Sequence, residues 1–167
     1  ITRQAALIDK YTEKQLNIAT LRALLIHSAE AGEDRKYTGW GKVPCNALSI
    51  LQCSKNKVTF VYQGVLKTKS GIRAALPFSD EIEDKTKVKI EATMCFYSTV
   101  DVKNPASYSR TGVSVTFKPH IEKFPNGSKQ PKSRPLFSKK KVYGDELHLR
   151  EDHHKWETCF KVSDKMN

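Results

Sequence analysis

The sequence predicts an α+β fold, a fragment in which N-terminal helices are followed by an antiparallel β-sandwich or jelly-roll-like domain. Three observations lead there. Apolar residues recur at helical spacing through the opening segment, polar/apolar alternation takes over after Lys57, and no β-α-β alternation intervenes. The boundary this implies lies near residues 52–57, giving a helical part over 1–52 and a β part over 53–167.

The first helix carries Ile1, Ala5, Ile8 and Tyr11 near one face, close to the 3.6-residue period. A polar break, Glu13-Lys14-Gln15, ends it, and Asn17 is a suitable N-cap for the next. That second helix presents Ile18, Leu21, Leu24, Leu25 and Ser28, with Gly32 as its stop signal. Residues 33–42 are polar and contain glycine, which predicts a loop. Gly39-Trp40-Gly41 lacks the third glycine and preceding strand of a dinucleotide fingerprint, so it reads as a tight turn needing glycine freedom. Pro44 is placed to open a short third helix through Ala47, Leu48 and Leu51.

Strands are expected at Val58–Tyr62, with Ile72–Leu76 as a partner, then at Lys87–Tyr97, Gly112–Phe117 and His154–Val162. Between the last two lies a stretch, 118–145, with four prolines and two glycines, predicted to be a long exposed excursion.

The chain of 167 residues has 29 basic and 18 acidic side chains, a net charge of +11. From Lys118 to Val142 there are eight Lys/Arg against the single acid Glu122, so this stretch alone contributes +7. Within it Lys132, Arg134, Lys139, Lys140 and Lys141 are candidates for binding an anionic partner such as nucleic-acid phosphate. Phe124, Phe137 and Tyr143 are interleaved for stacking. Against this, no RNA- or DNA-binding module signature is present, and a solvated loop accounts for the same residues. No apolar run approaches the roughly 20 residues of a bilayer span, so no membrane partner is expected.

Four cysteines, Cys45, Cys53, Cys95 and Cys159, permit two disulfides in three connectivities. The chain is long enough to fold without staples, and Cys45 and Cys95 sit among apolar residues. The reading is therefore of free, mostly buried thiols in a reducing, cytoplasmic compartment. No cofactor or metal is expected. His148, His153, His154 and Cys159 lack the paired spacing of a zinc site. A self-contained Ser-His-Asp triad is not expected either. No Gly-x-Ser-x-Gly elbow occurs, and adjacent His27 and Ser28 point about 100° apart on a helix. Trp40 and Trp156 read as packing residues.

The order of these pieces resembles the end of a subtilisin-like serine protease domain followed by the β-rich extension of a bacterial group of subtilases. In that family the nucleophilic serine opens a buried helix in a Gly-Thr-Ser-x-Ala-x-Pro motif. A helix of the form x-Leu-Arg-Ala-Leu-Leu-x-x-Ser-Ala follows, then Gly-x-Gly and a short Ala-rich helix. Arg3-Gln4-Ala5-Ala6-Leu7-Ile8 is similar to the tail of the serine helix, Leu21–Ala29 to the second helix, and Gly39–Ala47 to the closure. Val58–Gly64, Ser107–Gly112 and His154–Thr158 are similar to parts of the extension. Pro44-Cys45 departs from the family, which more often has an acidic and a small residue there.

The resemblance implies that residues 1–52 are the C-terminal helices of a peptidase domain and 53–167 a β-sandwich accessory domain with a basic loop at 118–145. It implies a parent that hydrolyses peptide bonds through an acyl-enzyme. The triad would lie before Ile1, and this chain alone would be inactive. The partners implied are the upstream catalytic domain and, through it, a polypeptide substrate. The alternative is a basic β-sandwich binding module for nucleic acid or a partner protein.

Overall fold

The computed structural model of the protein describes residues 1–33, 35–67, 69–76, 88–103, 113 and 158–166. Its elements in chain order are α1 (Thr2–Tyr11), α2 (Ile18–Ser28), α3 (Arg35–Thr38), α4 (Leu48–Leu51), β1 (Val88–Cys95) and β2 (Cys159–Met166). The fold class is α+β, as the sequence predicts. Among the described residues the strands form one two-stranded sheet. The expected strand at 112–117 and the loop at 118–145 lie outside the described residues, Val113 excepted.

By contacts the chain divides into two compact units. One comprises Ile1–Thr86, Ala92–Tyr97 and Cys159–Lys161, and the other comprises Lys87–Glu91, Ser98–Thr158 and Val162–Asn167.

In the first unit α1 and α2 form a hairpin. Lys10 places a cation in the last turn of α1, where helix-end carbonyls favour it. The chain then turns through Glu13 and Lys14, both with left-handed φ (53° and 59°). Gln15 leads into Asn17, whose Oδ1 accepts the Thr20 N–H at 2.8 Å and so caps α2 as predicted. The core is Ile8, Leu24, Leu25 and Ala47, with Ala5, Leu7, Leu16, Leu21 and Val43 packed on it. The apolar stripe of α1 is therefore centred on Ala5 and Ile8, but its ends differ from expectation. Ile1 and Tyr11 are exposed, and Leu7 turns inward instead. In α2 the expected Ile18 is exposed, while Ile26 is buried. This helix is apolar on nearly every side, so periodicity alone misjudges which residues are covered.

α2 stops at Ser28, short of Gly32. Glu30 and Lys42 then exchange two backbone hydrogen bonds (3.0 and 2.9 Å), closing a loop through α3. Gly39 (φ +61°) and Gly41 (φ +103°) make the return. A Cβ on Gly41 would stand 1.8 Å from the Glu30 carbonyl oxygen, so both the dihedral and the approach demand glycine. Pro44 does not open a helix. α4 begins at Leu48 with Ala47 as its N-cap, and the Asn46 Oδ1 accepts the Leu48 N–H at 3.0 Å just ahead of it.

Two expected strands are absent. Val58–Tyr62 and Ile72–Leu76 are neither helix nor strand. They do lie side by side, since the Tyr62 hydroxyl donates to the Ala75 carbonyl and a Cβ on Gly64 would meet the Ile72 side chain at 3.3 Å. The expected strand over 87–97 is present as β1. Of the last expected strand, 154–162, residues 154–157 lie outside the described residues, and β2 runs from Cys159 on to Met166.

β1 and β2 run antiparallel, and a disulfide joins Cys95 at the end of one to Cys159 at the start of the other. In the second unit Lys89 and Glu91, two apart and hence on one face of β1, form an ion pair at 3.3 Å. Ser98 there keeps a buried hydroxyl with no hydrogen-bond partner among the described residues.

Candidate functional site

A cluster of polar side chains gathers at the C-terminal end of α2, within the first unit. A helix ends with four carbonyls that lack an intrahelical partner, and they carry the negative end of the helix dipole. Lys161 supplies the answer from β2. Its Nζ donates to the carbonyls of Ile26, His27 and Ala29 at 3.2, 2.8 and 3.0 Å. An ammonium has three protons and no acceptor, and these three carbonyls match it in number.

Antiparallel register puts Thr93 opposite Lys161, and Thr93 Oγ1 lies 3.0 Å from His27 Nδ1. Two residues further on the same face, Cys95 and Cys159 are joined by a disulfide, with Cα atoms 4.2 Å apart. That spacing suits a non-hydrogen-bonded antiparallel pair, where side chains come closest. Phe96 and Phe160 pack beside it with ring centroids 5.9 Å apart. The period of two thus delivers Thr93, Cys95, Cys159 and Lys161 to one place from two strands.

This corrects the reading of the cysteines. Cys95 and Cys159 are a disulfide, because strand pairing holds them in contact. Cys45 and Cys53 are free but exposed rather than buried. Oxidation also withdraws Cys159 from the metal-ligand set considered with His148, His153 and His154, which lie outside the described residues. Among the described residues no three His, Cys, Asp or Glu come together in a way that would hold a metal ion. No helix among them is long and apolar enough to cross a membrane.

The chemistry of the junction is cohesive. Ser28 Oγ donates to the Leu25 carbonyl at 3.0 Å, so His27 and Ser28 are directed to different partners. Trp40 is half-buried in the glycine turn. The anion-binding candidates Lys132, Arg134, Lys139, Lys140 and Lys141 lie outside the described residues, as do His120 and Trp156.

Sequence reasoning missed Lys161. Its partners are 132 to 135 residues away, and no local pattern marks a lysine in a strand as a helix cap. Comparison with models of protein families, with curated proteins and with solved structures returned no match to this chain.

Proposed function

We propose that this chain is the C-terminal segment of a subtilisin-like serine endopeptidase. In this reading residues 1–52 complete the catalytic domain, and 53–167 form a β-sandwich accessory domain that supports it and takes part in substrate selection. The support is the resemblance of Arg3–Ile8, Leu21–Ala29 and Gly39–Ala47 to the closing elements of that family, in that order. One structural observation carries the reading further. The α1–α2 hairpin leaves large apolar side chains open at its turn and its start: Ile1 (79% exposed), Tyr11 and Ile18 (71%). Single exposed apolar residues are ordinary, but three on one short hairpin fit a pair of helices meant to be covered. An upstream catalytic domain is the cover this reading supplies. The nucleophile, histidine and aspartate belong to that domain, and the chain by itself is expected to hydrolyse nothing.

The test is the parent polypeptide. The residues preceding Ile1 are expected to carry Gly-Thr-Ser-x-Ala-x-Pro, and the purified parent is expected to be labelled at that serine by a fluorophosphonate probe. Absence of the motif, or a parent that takes no label while folded, would remove the peptidase reading.

A further inference from the structure

The run from Lys57 to Lys67 contains no helix, strand, turn or bend. It is nevertheless held in place. Gln63 Nε2 donates to the Gln15 carbonyl at 2.8 Å, and Gln63 Oε1 accepts the Asn17 N–H at 3.2 Å. One side chain thus ties the run to the turn before α2. On either side of that tie the side chains face water. Val58, Val61 and Tyr62 are exposed before it, and Leu66 and Val65 (91% exposed) after it. From Val58 to Leu66 no backbone N–H or C=O has a protein partner among the described residues. A β-branched, aromatic sequence with an unpaired backbone is half of a sheet pairing.

The charges around it have one sign. Lys55, Lys57, Lys67, Lys69 and Arg73 are all exposed, and no carboxylate occurs from Ser54 to Leu76. Among the described residues none of the five cations is ion-paired.

The geometry points to a docking strand: residues 57–67 bind an acidic, extended polypeptide by adding their backbone to its edge, with Val61, Val65 and Leu66 meeting its apolar side chains and the flanking lysines its carboxylates. Strand addition takes affinity from main-chain hydrogen bonds and specificity from alternate side chains, and both are on offer here. The charges decide the occupant. A second copy of this surface would bring five cations against five, which repels. Single-stranded nucleic acid stacks on π-faces, and of the large exposed side chains here only Phe60 and Tyr62 offer one, against the aliphatic Val58, Val61, Val65 and Leu66. An acidic strand satisfies both the cations and the aliphatic row. This inference stands independently of the peptidase reading.

A labelled eight-residue peptide alternating Glu with Val or Ile, titrated with the purified chain by fluorescence anisotropy, tests it. The peptide is expected to bind at least tenfold more tightly than a control with every Val and Ile replaced by Ser. Binding should weaken at least fivefold between 50 and 300 mM salt. Val61→Ser combined with Val65→Ser should cost about tenfold, and Lys67→Glu with Lys69→Glu should flatten the salt dependence, while circular dichroism shows both variants folded. Equal binding of the Ser control would reduce the surface to simple charge attraction and overturn the proposal. So would tighter binding of an oligothymidylate, concentration-dependent dimerisation that these variants abolish, or no binding at millimolar peptide.

Discussion

The end of α2 and the run from Lys57 to Lys67 belong to the same compact unit, yet they are completed in opposite ways. At the end of α2, carbonyls that a helix must leave open are taken up by Lys161, and the strands that bring Lys161 and Thr93 there are joined by Cys95–Cys159. Along 58–66, a segment of high strand propensity keeps its backbone open among the described residues and is held by side chains, Gln63 to the turn before α2 and Tyr62 to the Ala75 carbonyl. Both contain the raw material of pairing. The difference is whether a distant piece of chain arrives to use it. β-propensity is mostly a statement about neighbours, and without a neighbour that pairs its backbone it yields an exposed strand-like run rather than a strand.

The sharpest way to break this contrast is to remove the staple. The disulfide spans a separation of 64 residues. The chain-entropy model assigns a crosslink over a loop of this length about 4 kcal/mol, a figure that relaxation of the unfolded chain lowers in practice. Replacing Cys95 and Cys159 together with Ala is expected to lower denaturant stability by about 2–4 kcal/mol. Treatment of the unmutated protein with dithiothreitol should reproduce the loss, and the same treatment of the double variant should add nothing. Full stability in the double variant would mean that strand pairing and Lys161 alone hold the end of α2.

Lys161 comes next. Lys161→Met keeps most of the aliphatic stem and removes three donors from carbonyls at the end of a helix. The site is partly buried, so water recovers part of the loss, and a cost of about 2 kcal/mol is expected. Hydrogen exchange should place the effect in the last turn of α2, with α1 protected as before. Uniform loss of protection across both helices would show that Lys161 anchors the whole hairpin rather than its end.

What the sequence made legible divides along the same line. Asn17 was readable as a cap because its partner, Thr20, is three residues away. Gly39 and Gly41 were readable because a left-handed φ is a property of the residue itself. The strand over Val88–Cys95 was readable because its polar/apolar alternation is local, and the polar set proves to include Thr93, which reaches His27. Lys161 and the cysteine pairing were not readable. Each depends on which of many distant segments comes alongside, and four cysteines give three connectivities with no local means of choosing. The inward turn of Leu7 and exposure of Ile18 were missed for a related reason. In a short, largely apolar hairpin the covered face is chosen by Leu24, Leu25 and Ala47 across the gap, not by the helix's own period.

The smallest expected effect tests the other half of the contrast. If 57–67 waits for a partner, its apolar side chains contribute nothing to the stability of the chain alone. Val65→Thr preserves the β-branch and shape while adding a hydroxyl. At an exposed position it should leave stability within about 0.5 kcal/mol of the unmutated protein. The same change made at Ile8, which is 0% exposed, should cost several times as much, about 3 kcal/mol, because a hydroxyl would be buried and volume lost. The pair of variants, melted side by side, measures how far the two regions differ. A cost at Val65 approaching that at Ile8 would mean that the side chain is covered within the chain itself, and the open run would then be part of its core.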